Sequence, residues 1–302
     1  MRADSVPGGT PHEVRAAWLL LSPGLAAITI LFLIPIAAAF LLSLTDFDIY
    51  ALGDLENVRF VGVKNYAELL RDPLLWKAMR NTALFLFVGG PLTIGVALAA
   101  ALLLHSRVAR LKGLFRTIFF APYVTTLVAV AVVFRYLYHP RFGLIASLLD
   151  AVGIAPIDWL GDPRWAMPAI ILLAVWKNFG YATILFVAGL QSIPESFYEA
   201  ARIDGAGAWQ LFRKITLPLL SPTFLFLGVM TTIGYFQFFA EPYVMTDGGK
   251  PLNSTLSVGL LMYKNGFRWW SMGYAASIAF VLFVVVLALT AVQFWIQKRQ
   301  EA

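Results

Sequence analysis

Polar side chains set inside long apolar runs are the residues here whose types and spacing can do chemistry. Lys177, Asn178 and Tyr181 lie in the segment WKNFGY. Positions three and four apart share a helix face, so the three point the same way. Thr231, Tyr235, Gln237 and Glu241 lie in a second apolar run. Polar groups at such depth are costly and by default mark function. Amides, hydroxyls and charges of these types can bind a polar ligand.

Other chemistries find little support. There is no cysteine, so disulfides and thiolate metal sites are excluded. His12, His105 and His139 lie far apart, at or beyond the edges of the apolar runs, and form no metal-ligand cluster. The apolar runs hold no acidic pair and no histidine–carboxylate cluster for an intramembrane enzyme. The phosphate loop G-x-x-x-x-G-K-S/T is missing, so the chain is not expected to hydrolyse ATP by that route. A secondary transporter would need coupling-ion sites or paired ionisable groups, for which Lys177 and Glu241 are the candidates.

The elements that position these residues must be membrane helices. The 302-residue chain is 60% hydrophobic and 13% charged, with mean hydropathy +0.75. A soluble domain is about 45–50% apolar and about 25% charged. This chain has too little polar surface to cover a water-facing body. The net charge of +6 reads as basic loops beside a bilayer rather than as nucleic-acid binding. About 20 apolar residues span the hydrocarbon, and six stretches qualify: Ala16–Leu44, Asn81–Leu104, Thr117–Tyr138, Met167–Leu190, Pro222–Val244 and Gly273–Ile296. The expected organisation is an N-terminal tail (1–15), a first span (16–44), an extracytoplasmic loop (45–80), and a core (76–297) with five spans and the loop 191–221. An all-α integral membrane protein follows.

Six spans put both termini on one side. That side carries Arg2, Arg15, Arg107, Arg110, Lys112, Arg116, Arg202, Arg213, Lys214, Lys298 and Arg299. The other side has nearly as many basic residues, but they are spread over longer loops and matched by acids. Density and net charge favour cytoplasmic termini. At 1.5 Å per residue, Lys177 lies about 15 Å below the outer edge, Gln237 about 10 Å and Glu241 about 5 Å. The two clusters sit at similar levels on adjacent antiparallel spans and fit one cavity. Simpler readings stand beside this one. Lys177 as a structural charge bonded to a carbonyl, Glu241 as an interfacial acid, Arg135 as a snorkelling residue and Phe238 as packing are all open.

The loop Gln191–Ser221 is unusual for a connector. Pro194 can start a helix whose positive end favours Glu195 and Glu199. Asp204-Gly205-Ala206-Gly207 breaks it. Ala208–Lys214 reads as a second short helix, and Pro218 ends or kinks it. Two short helices at a glycine corner form a stiff knob suited to docking a partner.

Glu199-Ala200-Ala201, Gly205, then Ile215, Leu217 and Pro218 match the signature loop of the membrane subunits of bacterial binding-protein-dependent ABC importers. The resemblance runs roughly from Trp76 to Ile296. DGAGAWQLFRKITLPLLSP and PYVMTDGGKPLNST resemble the carbohydrate branch, of the maltose and glycerol-phosphate permease type. Lys250 before Pro251 is a one-residue departure from its Thr-x-Gly-Gly-Pro pattern. The resemblance implies a type I ABC importer permease fold in a bacterial inner membrane. It implies a second homologous permease subunit, two ATPase subunits and an extracytoplasmic sugar-binding protein as partners. ATP and Mg would be bound by the ATPase subunits, with no cofactor in this chain. It makes Glu199, Ala200, Ala201, Asp204, Gly205 and Ala206 the ATPase-coupling loop. Aligned through Trp176 and the Gly-Gly pair, the sugar-contacting positions fall on Lys177, Asn178, Tyr181, Thr231, Gly234, Tyr235 and Phe238. Gln237 and Glu241 join them as polar neighbours. A neutral di- or oligosaccharide is the expected ligand, because a phosphate site gathers several basic donors and Lys177 is the one deep basic residue. A phosphorylated polyol such as glycerol phosphate is the alternative.

Topology is directly testable in this cysteine-free chain. Asp204→Cys is expected to react with a membrane-impermeant maleimide from the cytoplasmic side and Asp54→Cys from the outside. Labelling of position 204 from the outside alone would overturn the orientation.

Overall fold

The computed structural model describes residues 11–53, 58–106 and 111–301. Arg2, Asp54, Arg107 and Arg110, used above for charge and topology, lie outside the described residues. Among those described, the elements are helical, with one isolated antiparallel bridge between Thr45 and Phe60.

Helices α1 (His12–Ser43), α2 (Lys64–Arg71) and α3 (Pro73–His105) come first. Next are α4 (Lys112–Val124), α5 (Leu127–Leu137) and α6 (Leu144–Ala151). Helix α7 (Pro163–Gln191) leads to α8 (Glu195–Ile203) and α9 (Ala208–Leu211). The chain closes with α10 (Ser221–Phe236), α11 (Ala240–Met245), α12 (Val258–Tyr263) and α13 (Met272–Glu301). Among the described residues, five runs are long and apolar enough to cross a membrane: α1, α3, α7, α10 with α11, and α13 up to Arg299; α4 with α5 makes a sixth if the bent pair is one span.

The third expected span is not one rod. Its halves, α4 and α5, meet at 97°. The corner has a local cause. Thr125 and Thr126 are extended, with ψ of 149° and 133°, and Pro122 in the last turn of α4 has no N–H to donate. Thr125 Oγ1 donates to the Pro122 carbonyl at 2.6 Å, a side-chain bond that substitutes for helix continuation. The fifth span is interrupted too. It leaves helical geometry after Phe236 and resumes at Ala240.

Helix α7 is the central post. Ile170, Leu173, Ala174, Ala182 and Phe186 on it are buried, and α3 and α4 pack along it. One core cluster joins Phe85, Ile170, Leu173, Tyr235, Leu260 and Ile278; a second joins Ala97, Ala101, Phe186, Leu190 and Leu227. Small residues on α3 let its backbone approach α7 closely, the usual route to helix packing where lipid is as apolar as the side chains. Helix α13 packs on the second half of α1, with Phe40 edge-on to Phe280 at 5.2 Å. The first half of α1 buries nothing: Leu19 and Leu20 are 73% and 83% exposed. A helix apolar on all sides and uncovered is a membrane helix, not a surface helix of a soluble protein.

The second span begins at Pro73, eight residues before the apolar boundary at Asn81, because Lys77 and Arg80 dilute its first turns. Asp72 caps it by accepting from the Leu74 amide at 2.8 Å. The segment between the first two spans folds as a turn at Tyr50–Leu52 and as α2. Buried Asn65 on α2 donates to the Ser43 and Thr45 carbonyls at 2.9 and 2.8 Å, so it closes the C-terminal end of α1. Tyr66 and Ser43 share a 2.7 Å hydroxyl hydrogen bond.

Removing Asn65 strands those two carbonyls. Asn65→Ala is expected to destabilise the fold by about 1–3 kcal/mol, read as a lower midpoint in thermal unfolding of the solubilised protein. An unchanged midpoint would show that α1 needs no such cap.

Candidate functional site

The corner in the third span and the interruption in the fifth face one another across α7. Between them lies a cavity of about 330 Å³. Its wall brings together Lys177, Asn178 and Tyr181 from α7, Thr231, Gly234 and Tyr235 from α10, and Glu241 from α11. Thr93, Tyr123, Leu127, Leu227 and Met230 complete much of the lining. Two of the expected contacts do not take part. Gln237 is exposed at the end of α10. Phe238 is buried and stacks on Phe85, with centroids 4.0 Å apart and planes at 14°, so its ring serves the core.

Each polar group in the cavity has a defined setting. The Lys177 ammonium donates to the carbonyls of Pro122, Tyr123 and Thr125 at 3.0, 3.2 and 2.6 Å. Asn178 Nδ2 donates to the Ala174 carbonyl one turn back at 2.8 Å. The Tyr235 hydroxyl and Thr93 Oγ1 are 2.7 Å apart, and Tyr235 also interacts with Asn178. Tyr181 stacks on Tyr123, centroids 4.7 Å apart and planes at 12°. Glu241, 7% exposed, sits in the first turn of α11, where a carboxylate complements the positive helix end. Its Oε2 has no hydrogen-bond partner among the described residues. The wall thus presents three phenols, an amide, threonine hydroxyls and one orphan carboxyl oxygen, a set suited to binding hydroxyl groups.

Thr93 and Tyr123 were not singled out from the sequence. Tyr123 sits in the run APYVTT, where Pro122 followed three residues later by a pair of threonines is a readable helix-stop. Thr93 is a lone threonine in an apolar run, and nothing local distinguishes it.

Outside the cavity, the segment Thr246–Thr255 is pinned from several sides. Lys264 donates to the Gly248 carbonyl at 2.6 Å, and Asn81 donates to the carbonyls of Asn253 and Leu256, both at 3.0 Å. Partial burial, and after it the charges of Arg268 and Lys250, push the Lys264 ammonium below the usual lysine range. Arg135 does more than snorkel: it pairs with Asp247 at 3.1 Å and donates to the Val244 carbonyl at 3.3 Å.

At the other end of α7, the knob has the shape anticipated. The Ala206 amide donates to the Ala201 carbonyl at 2.9 Å and the Gly205 amide to the Arg202 carbonyl at 3.0 Å, the paired bonds that end a helix on a left-handed residue. Gly205 supplies that residue, at φ +81°. Glu199, Ala200, Asp204 and Gly205 are exposed, and Ala201 and Ala206 are half-buried. Ile203 is 87% exposed and Trp209 68%. Tyr198 ties α8 back to Thr216 through a 3.1 Å hydroxyl contact.

Interrupted spans around a polar cavity, with a stiff exposed knob at the end of the central span, define a multi-pass membrane transport protein. Residues 77–302 match the family described as "Binding-protein-dependent transport system inner membrane component", and the chain belongs to that family. It is 38% identical to the lactose transport system permease protein LacF of Rhizobium radiobacter, over 94% of each chain. It is 33% identical to the trehalose/maltose transport system permease protein MalF of Thermococcus litoralis, over 93% of each. Among solved structures, a chain of a bacterial ABC transporter involved in the import of the acidic polysaccharide alginate shares the fold. Its TM-score is 0.79 at 22% identity, covering 95% of this chain and 98% of that one. The resemblance drawn from the loop Gln191–Ser221, and the type I ABC importer permease fold it implied, are borne out.

Proposed function

We propose that this chain is the membrane-spanning permease subunit of an ATP-driven, binding-protein-dependent importer of neutral sugars, forming half of the translocation pathway. One observation carries the reading: a single 29-residue helix, α7, bears the polar cavity at its middle and the knob at its end. From Lys177 to Gln191 is about 21 Å of rigid helix at 1.5 Å per residue. A push on the knob passes the short Ser192–Pro194 turn and then reaches the cavity along an unbroken helix. Similarity to lactose and trehalose/maltose permeases along nearly the whole chain supports a sugar as cargo.

In this reading Asn178, Tyr181, Thr231, Gly234, Tyr235 and Glu241 form the contact surface for the sugar. The neutral class follows from which polar atom still lacks a hydrogen-bond partner. Lys177 has three carbonyl partners, whereas Glu241 Oε2 has none. An orphan carboxyl oxygen calls for a donor such as a sugar hydroxyl and disfavours a phosphate. The knob around Glu199–Ala206 docks an ATPase subunit that binds ATP and Mg. A second permease subunit covers the exposed flank, and an extracytoplasmic binding protein delivers the sugar. The chain lies in a bacterial inner membrane with both termini in the cytoplasm.

Uptake by the assembled transporter is the test of cargo. Labelled neutral di- or oligosaccharide is expected to enter on ATP, and Glu241→Gln to raise its KM by roughly tenfold. Uptake of glycerol phosphate with no neutral sugar carried by the wild type would overturn the assignment. Coupling is tested at the knob. Gly205→Val, which forces a branched residue into a left-handed turn, and Glu199→Lys are each expected to cut uptake by about tenfold or more while ATP hydrolysis continues. Full uptake with normal substrate-stimulated hydrolysis in both variants would remove the knob from the mechanism.

A further inference from the structure

The Lys177 side chain starts on the most buried span and ends at backbone belonging to another helix. Its three carbonyl partners, Pro122, Tyr123 and Thr125, are at the C-terminal end of α4 and the corner that follows. An ammonium has three donors and no acceptor, and here each donor has a carbonyl. The last carbonyls of any helix lack intrahelical partners and carry the negative end of its dipole. At membrane depth they must be satisfied by protein. A turn further along α7, a Cβ on Gly180 would overlap the Phe119 carbonyl. Helix α7 therefore grips α4 at two points, by a cation at 177 and by a missing side chain at 180. Helix α5, beyond the corner, is held elsewhere: it packs on α11, and its Arg135 pairs with Asp247.

We propose that Lys177 is a positioning residue: by capping the end of α4 it fixes the corner between α4 and α5, and does not itself contact the transported molecule. Tyr123 and Leu127 flank the corner and both line the cavity. Tyr123 is stacked on Tyr181 and lies beneath the ammonium, 5.9 Å from Nζ to the ring centroid. Releasing the α4 end would move one phenol of that stack. The geometry stands by itself; its consequence for sugar affinity rests on the cavity being the sugar site.

The test separates the two. Single cysteines at Leu114 on α4 and Val133 on α5, exposed positions in a chain without native cysteine, carry spin labels. The full-length chain is assembled with its transporter subunits in lipid nanodiscs, and the label-to-label distance is measured by pulsed electron resonance. The wild type is expected to give one narrow distribution. Lys177→Met removes all three donors and is expected to broaden and shift it, with sugar KM raised by about tenfold or more. Lys177→Arg keeps a charged donor fork and is expected to restore the narrow distribution and hold KM within about threefold of wild type. Gly180→Ala loosens the same grip without adding a group to the cavity, so it is expected to broaden the distribution as well. It keeps the proposal testable if Lys177→Met does not assemble. Wild-type distances in both Lys177→Met and Gly180→Ala overturn the proposal. So does a wild-type distance distribution in Lys177→Arg combined with loss of uptake as severe as in Lys177→Met, because that pattern belongs to a direct ligand. Broadened distances with unchanged KM uphold the positioning role and overturn the cavity as the sugar site.

Discussion

A backbone carbonyl at the depth of the hydrocarbon has no water to turn to, and two spans of this protein stop and restart at that depth. Everything around the cavity depends on meeting that requirement. The end of α4 is met by the Lys177 ammonium, which places a full positive charge against the negative end of a helix. The start of α11 carries Glu241, the opposite charge at the opposite helix end. Each buried ion is therefore offset by a helix terminus, a better arrangement than an isolated charge in a medium that solvates ions poorly. The same logic recurs nearer the surface, where Asn65 closes α1 and Asp162 opens α7 by accepting from the Arg164 amide at 2.8 Å.

Interrupted helices give this membrane protein something unbroken helices lack. A continuous helix satisfies all its own backbone and offers only side chains to its surroundings. A broken one opens a wedge of space, and the residues beside the break face into it. Here Tyr123 and Leu127 flank one break, Tyr235 and Glu241 the other, and all four line the cavity. The helix that supplies the opposite wall, α7, is unbroken and closely packed along its length. That division, stiff post against jointed neighbours, is what allows the cavity and the exposed knob at the end of the post to be parts of one mechanical unit.

Much of this was legible in advance. The span count was read from composition and apolar length, and the knob from Pro194, the Asp204–Gly207 run and helical spacing. The third span misled because hydropathy sums composition over a window and is blind to direction: α4 and α5 together are as apolar as one straight helix. Pro122, Thr125 and Thr126 held the contrary signal, but proline alone does not break a membrane helix, and α7 carries Pro168 inside it without a corner. In the candidate site, polar residues in two apolar runs pointed to Lys177, Asn178, Tyr181, Tyr235 and Glu241, and all five line one cavity. Gln237 was misplaced because its depth was counted along a helix that ends at Phe236.

By itself, the sequence determined the class of solvent, the spans, the glycine-cornered knob and the family, because each depends on residues close together in the chain. Apolar length sets membrane insertion, and the knob is closed by bonds among Ala201, Arg202, Gly205 and Ala206. The tertiary structure alone decided what Lys177 bonds to and which of Phe238 and Glu241 faces the cavity. Those outcomes depend on partners more than fifty residues away, the carbonyls at Pro122–Thr125 for one and the ring of Phe85 for another. No local pattern encodes where a helix in one part of the chain will stop against a side chain in another. Packing sets that meeting, and the need to satisfy every buried carbonyl then makes it specific.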